Sequence, residues 1–286
     1  MSTSESSAAG LWRPLVGGLL GRPAPAAGTL IVAVFLALAV VGPLLVPYGA
    51  NQQVAADARQ APSARHWFGA DWLGRDVFSR VVLGARDILS LAGLGTALAV
   101  AAGAAIGLLS GYRGGALDEA LMRSFDSLLS LPALLLALLL LGSVGPSRNS
   151  ILLVILLVYT PIVARVVRSV VLDVKGKGFV QTARLQGESL GWILFREILP
   201  SVLPALAVEA ALRFSYAIFL VASLGFLGVG VQPPSPDWGL MVKEARTHAS
   251  QVPWALYCPA AAISALVIGV NLVSDGLRRG LLRAAA

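Results

Sequence analysis

The chain has 286 residues, of which 57% are hydrophobic and 13% charged, with a formal net charge of +7. Soluble domains carry roughly a quarter charged residues, so this much apolar surface needs lipid around it and a water-soluble enzyme is excluded. Nucleic-acid binding is also disfavoured, because 19 of the 22 basic residues are Arg scattered among loops, with no aromatic-studded basic face.

In chain order, residues 1–27 are a Ser-, Ala-, Pro- and Gly-rich tail carrying Arg13 and Arg22. The apolar run 28–47 follows. It is longer than the apolar core of a signal peptide, about 7–15 residues, and reads as a retained first transmembrane anchor. Residues 48–87 form an extracytoplasmic segment in which Arg75 and Asp76 either contact a partner or cap a short interfacial helix. Five further spans are expected at 88–111, 128–144, 151–171, 202–227 and 255–273, making a core over 88–277 and a tail over 278–286. Runs of about 20 apolar residues match a hydrocarbon core of about 30 Å as helices. Barrel strands would be shorter and would alternate in polarity. The expected class is an all-α polytopic membrane protein with six transmembrane helices.

Within the spans, Gly103, Gly107 and Gly111 recur every four residues, a stripe that lets a neighbouring helix approach closely. Pro132 and Pro161 each remove a backbone bond and predict kinks that serve as hinges or simply shape the bundle. Six spans place both termini on one side. If that side is the cytoplasm, thirteen Lys or Arg fall inside, Arg13 and Arg283 among them, and eight outside, which agrees with the positive-inside rule. Segment 172–201 is then cytoplasmic.

Part of that segment, 179–200, is polar and helix-forming between two very apolar spans. Residues 179–186 predict two helical turns with Phe179 and Ala183 on one face. Gly187 is suited to a helix end that needs positive φ, and Ser189 to the N-cap of a second helix. Downstream, Leu190, Ile193 and Leu194 form one stripe while Trp192 and Phe195 face elsewhere. Pro200 is tolerated at the start of the next helix. Such an element serves as an aromatic anchor for a partner's groove or as an amphipathic helix lying on the lipid surface.

Catalytic constellations do not stand out. The three lysines, Lys175, Lys177 and Lys243, precede Gly, Gly and Glu, so none completes a phosphate-binding GxxxxGK[ST] loop. His66 and His248 are far apart in sequence, and Cys258 is alone in the last span. Glu209 and Arg213, four residues apart in the fifth span, share a helix face. Charges at this depth are costly and face protein or a water-filled cavity. They form a self-neutralising structural pair or line a solute path. The run Gln232-Pro233-Pro234-Ser235-Pro236-Asp237-Trp238 cannot be a regular helix. It is a stiff connector, a gate or a contact for a partner.

Segment 179–200 resembles the EAA loop of permease subunits of binding-protein-dependent ABC importers. Gln181, Thr182 and Ala183 stand at the E-A-A positions, Gly187 at the glycine, and Leu199-Pro200 at the end of the loop. Gln181 and Thr182 depart from Glu and Ala, so no carboxylate role is expected there. The runs HWFGADWLGRDVFSR at 66–80, SGYRGGALD at 110–118, SLGFLGVGVQPPSPDWG at 223–239 and NLVSDGLR at 271–278 resemble, in order, segments of the dipeptide/oligopeptide/nickel branch.

The resemblance implies the type I ABC importer permease fold and a translocation path shared with a sister permease subunit. It implies two P-loop ATPase subunits, which carry the ATP and Mg, and an extracytoplasmic substrate-binding protein. No cofactor is expected on this chain, which is a transport subunit of the bacterial inner (plasma) membrane. Coupling to the ATPases would fall to Gln181, Thr182, Ala183, Gly187, Glu188, Trp192, Phe195, Leu199 and Pro200. Candidates for the path are Glu209 and Arg213. Candidates for binding-protein or gate contacts are Arg75, Asp76, Gln232, Pro233, Pro234 and Trp238. Di- or oligopeptides are the expected solute, with nickel, haem or another small solute as alternatives. A secondary transporter is less favoured, since no internal repeat is evident.

Overall fold

The computed structural model describes residues 17–19 and 21–285. Most of the tail expected over 1–27, including Arg13, lies outside the described residues, as does the side chain of Arg283. Among the described residues the long elements are all helical.

Helix α1 (Pro23–Leu45) opens on Pro23, where a missing N–H costs nothing. It packs on the last helix near Gly28, where an added Cβ would come within 2.8 Å of the Gly269 carbonyl oxygen. Helix α2 (Val77–Arg113) has 37 residues and begins well before the expected 88, because Asp76 accepts a 2.7 Å hydrogen bond from Ser79 N–H and caps it. At about 1.5 Å per residue, α2 overreaches a hydrocarbon core, so its first turns stand in the polar layer.

The expected third span, 128–144, is not one straight helix. Helix α3 (Gly115–Leu129) and α4 (Ala133–Val144) meet at an 88° bend. Pro132 lacks an N–H and disfavours helical geometry at Leu131, so the chain turns there. Helix α4 has only 12 residues, about 18 Å of rise, and does not cross a bilayer alone. Five helices are long and apolar enough to span, or six with the bent pair taken as one span.

Helix α5 (Arg148–Val174) starts at a Ser147 cap and continues through Pro161. A short helix, α6 (Gly178–Leu185), precedes the long α7 (Leu190–Leu227), whose first turns include a π-helical stretch, Ile193–Ile198. Helix α8 (Trp238–Arg246) follows the proline-rich connector. Helix α9 (Pro253–Ala285) continues past the expected tail boundary at 278.

Helices α2 and α5 form the central seam. The glycine stripe of α2 is filled by α5: a Cβ at Gly103 would lie 2.7 Å from Val163, and one at Gly107 would lie 2.8 Å from Val167. Small residues on one helix thus accept β-branched residues of the other, the close packing expected of a membrane helix pair. Polar contacts sort the molecule into two ends. Asn51 to Pro234, Arg75 to Glu244 and Arg148 to Asp87 gather at one. Lys175 to Gly111 and Arg168 to Asp118 gather at the other.

Candidate functional site

At the second end, α6 and the start of α7 form a helix–turn–helix standing on the α2–α5 seam. Helix α6 closes in a Schellman motif: Glu188 N–H bonds to Ala183 O at 3.2 Å and Gly187 N–H to Arg184 O at 3.2 Å. Gly187 has φ +76°, the left-handed region that glycine enters without a Cβ penalty. Ser189 Oγ then accepts from Trp192 N–H at 3.3 Å and caps α7. Two orthodox caps, at Gly187 and Ser189, make a tight corner with a fixed shape.

The corner has an inner and an outer surface. Val180, Ala183, Ile193, Leu194 and Ile198 are buried against Ala104 and Leu108 of α2 and Val167, Val171 and Val174 of α5. Lys175 Nζ donates to Gly111 O at 2.9 Å, placing a cation on the carbonyl end of α2. Gln181 Nε2 donates to Lys175 O at 3.2 Å. Facing outward, Leu185 is 89% and Phe195 64% exposed, with Phe179 beside them at 41%. Gln181, Thr182, Gly187 and Pro200 are exposed, and Glu188 and Leu199 half-buried.

Two expected contacts face the other way. Ala183 is buried, and Trp192 is half-buried against the inner cluster. Trp192 lies one turn of α7 from the capped corner and leans on the seam, so Phe195 is the aromatic that projects. Leu185 was not singled out from the sequence. No capping rule marks it, because the residue after the glycine covers Ala183 rather than Leu185 in this motif.

Glu209 and Arg213 pair within α7, as the spacing predicts, with Arg213 Nε 3.1 Å from Glu209 Oε2. The guanidinium lies over the Tyr216 ring at 5.0 Å and the Tyr159 ring at 6.0 Å.

At the first end, Arg75 and Asp76 are not surface groups: they are 6% and 2% exposed. Arg75 donates to Asp71 and to Glu244, each at 2.6 Å. Asp76 caps α2 and takes His66 Nδ1 at 2.8 Å, while His66 Nε2 meets Asp57 at 3.3 Å. Of the two expectations for this segment, helix capping describes Asp76. Trp238 is fully buried and donates Nε1–H to Val81 O at 2.9 Å. Gln232, Pro233 and Pro234 remain exposed. Beside them Asp237 is buried, accepts from Leu240 N–H at 2.8 Å, and has its carboxyl pushed up to about 6, chiefly by burial.

Among the described residues this arrangement offers no assembled reaction centre. It offers a shaped corner fixed to a helix seam, and a charged pair midway along a helix that begins at that corner. Residues 103–285 match the family described as binding-protein-dependent transport system inner membrane component. The chain is 37% identical to the dipeptide transport system permease protein DppC of Alkalihalophilus pseudofirmus, over 94% of this chain and 89% of that protein. It is 35% identical to the glutathione transport system permease protein GsiD of Pectobacterium atrosepticum, over 94% and 90%. It is 38% identical to the probable D,D-dipeptide transport system permease protein DdpC of Escherichia coli, over 92% and 89%.

Proposed function

The chain belongs to the family of binding-protein-dependent transport system inner membrane components, and from that premise we propose that it is a permease subunit of an ATP-driven peptide importer. The observation that carries this reading is the two-sided corner of α6 and α7. Its outer surface presents Phe195 and Leu185, while its inner surface is wedged into the α2–α5 seam. A partner that grips the outer surface moves the spanning helices, because the buried residues between them transmit displacement without slack.

In this reading two P-loop ATPase subunits dock on the corner and carry ATP and Mg. A sister permease completes the path, and an extracytoplasmic binding protein delivers the solute. The corner and both termini face the cytoplasm, on the side richer in Lys and Arg, and the chain sits in a bacterial inner membrane. Peptide as the solute is supported by the printed names of the relatives. The GsiD relative favours a second reading, in which the solute is glutathione.

Mild-detergent purification of the tagged chain, followed by reconstitution into proteoliposomes, tests the proposal. Recovery of a second permease and P-loop ATPases is expected, with uptake of a labelled dipeptide that requires both ATP and the binding protein. Uptake that proceeds without ATP, or a folded chain recovered without ATPases, would overturn it. Competition by glutathione against the dipeptide separates the two solutes.

A further inference from the structure

Helix α7 carries Glu209, Arg213, Tyr216, Phe219, Ser223 and Phe226 at steps of three or four residues, which places them on one face. The opposite face is packed away: Ala217, Ile218, Val221 and Leu224 are each at most 1% exposed. The aromatic part of the stripe is open, with Tyr216 51%, Phe219 62% and Phe226 38% exposed, while the Glu209 and Arg213 side chains are only 15% and 12% exposed. An ion pair, a phenol and a hydroxyl in line do not suit lipid, where polar groups face protein or water.

The ion pair is close but poorly satisfied. Arg213 Nε and Glu209 Oε2 are 3.1 Å apart, yet neither buried atom makes a hydrogen bond of good geometry. Each retains capacity for another partner. The Arg213 guanidinium stacks over Tyr216, and at the far end Arg246 stacks over Phe226 at 5.7 Å. A crevice of about 390 Å³ lies along the later part of the stripe, lined by Phe219, Ser223 and Phe226 with Leu134 of α4, Val242 of α8 and Ile263 of α9.

We infer that this stripe is the chain's wall of the solute path and that it recognises a zwitterionic peptide, Arg213 taking the terminal carboxylate and Glu209 the ammonium. Phe219 and Phe226 then offer ring faces to the peptide's side chains. The charge logic is self-consistent. With no peptide present the pair neutralises itself, so the path holds no isolated buried charge. A passing peptide opens the pair and replaces each partner with an equivalent one, which leaves the total charge of the site unchanged. The inference rests on the importer reading and adds the residues and ligand groups involved.

The test uses the assembled importer, carrying Ser223→Cys in a Cys258→Ala background. Labelling by a charged, membrane-impermeant methanethiosulfonate is expected. Labelling only by an apolar maleimide would put the stripe against lipid, and labelling by neither would put it against the sister permease; both overturn the inference. In parallel, Arg213→Gln should lower uptake of a free dipeptide about tenfold, the order expected for one lost charge-assisted bond. Arg213→Lys should restore most of it, with partner subunits copurifying in both variants. Undiminished dipeptide uptake by Arg213→Gln would also sink the inference. Absence of ATP-driven uptake in the unsubstituted importer is a different result and speaks against the importer reading itself.

Discussion

Arg168 of α5 grips Asp118 of α3 with two hydrogen bonds, Nε to Oδ1 at 2.5 Å and Nη2 to Oδ2 at 2.6 Å. Forked guanidinium–carboxylate contacts fix orientation as well as distance. Arg165, one turn earlier on α5, pairs with Asp126, about two turns further along α3, so α3 is tied to α5 at two points. Only a modest share of this is stability, because Arg168 is about a third exposed and water screens it. Asp118→Ala should cost about 1 kcal/mol in thermal unfolding in detergent. A double-mutant cycle with Arg168→Ala should return a coupling of similar size. Additive effects would show that the fork contributes nothing as a pair.

Gly187 stands at φ +76° with nothing within 4 Å of an added Cβ. Gly187→Ala therefore meets no clash, only backbone strain, and should destabilise by about 1 kcal/mol. Gly187→Asn should do so less, since Asn tolerates the left-handed region. Equal melting temperatures for all three chains would remove the backbone explanation. In the importer, ATP hydrolysis stimulated by loaded binding protein should fall in the same order.

Phe195 and Ile198 are three residues apart and separate the two surfaces of the corner. Phe195→Ala removes an exposed ring and should leave folding within about 0.5 kcal/mol while weakening retention of the ATPase subunits. Ile198→Ala empties a fully buried site and should cost about 2–5 kcal/mol. Loss of ATPase retention in neither variant would disconnect the corner from the partner.

Asp237 gives a pH signature. Burial raises its carboxyl to about 6 from the ordinary 3.8. The unfolded chain therefore releases this proton first as pH rises. The stabilising contribution is complete below about 4, declines up to about 6 and is constant above. Asp237→Asn keeps an N-cap and abolishes the titration. The unfolding free energy of the parent relative to this variant should decline between pH 4 and 7 by at most about 3 kcal/mol, then level off. A difference that does not vary across that window would contradict the assignment.

Apolar run length and cap chemistry were readable directly. Gly187, Ser189 and the glycine stripe of α2 act through local or periodic rules, so the sequence alone placed them. A kink at Pro132 was legible but its size was not: an apolar count over 128–144 cannot distinguish a spanning helix from an arm set at 88°. Burial of Arg75 was hidden because its partner Glu244 is 169 positions away. Trp192 was misplaced by helical counting, which gives the direction of its backbone position, whereas its half-buried side chain packs on the inner cluster.

Those wide turns have a mechanical meaning. Leu199 N–H bonds to Leu194 O, five residues back, and the stretch Ile193–Ile198 holds more chain per turn than an α-helix does. Taking up one surplus residue advances a helix by about 100°. Phe195, which projects from the outer surface of the corner, lies within this stretch, and Glu209 and Arg213 lie beyond it. Helix α7 is thus threaded like a screw with one offset pitch: tightening the offset would convert a push along its axis into torque on the charged pair.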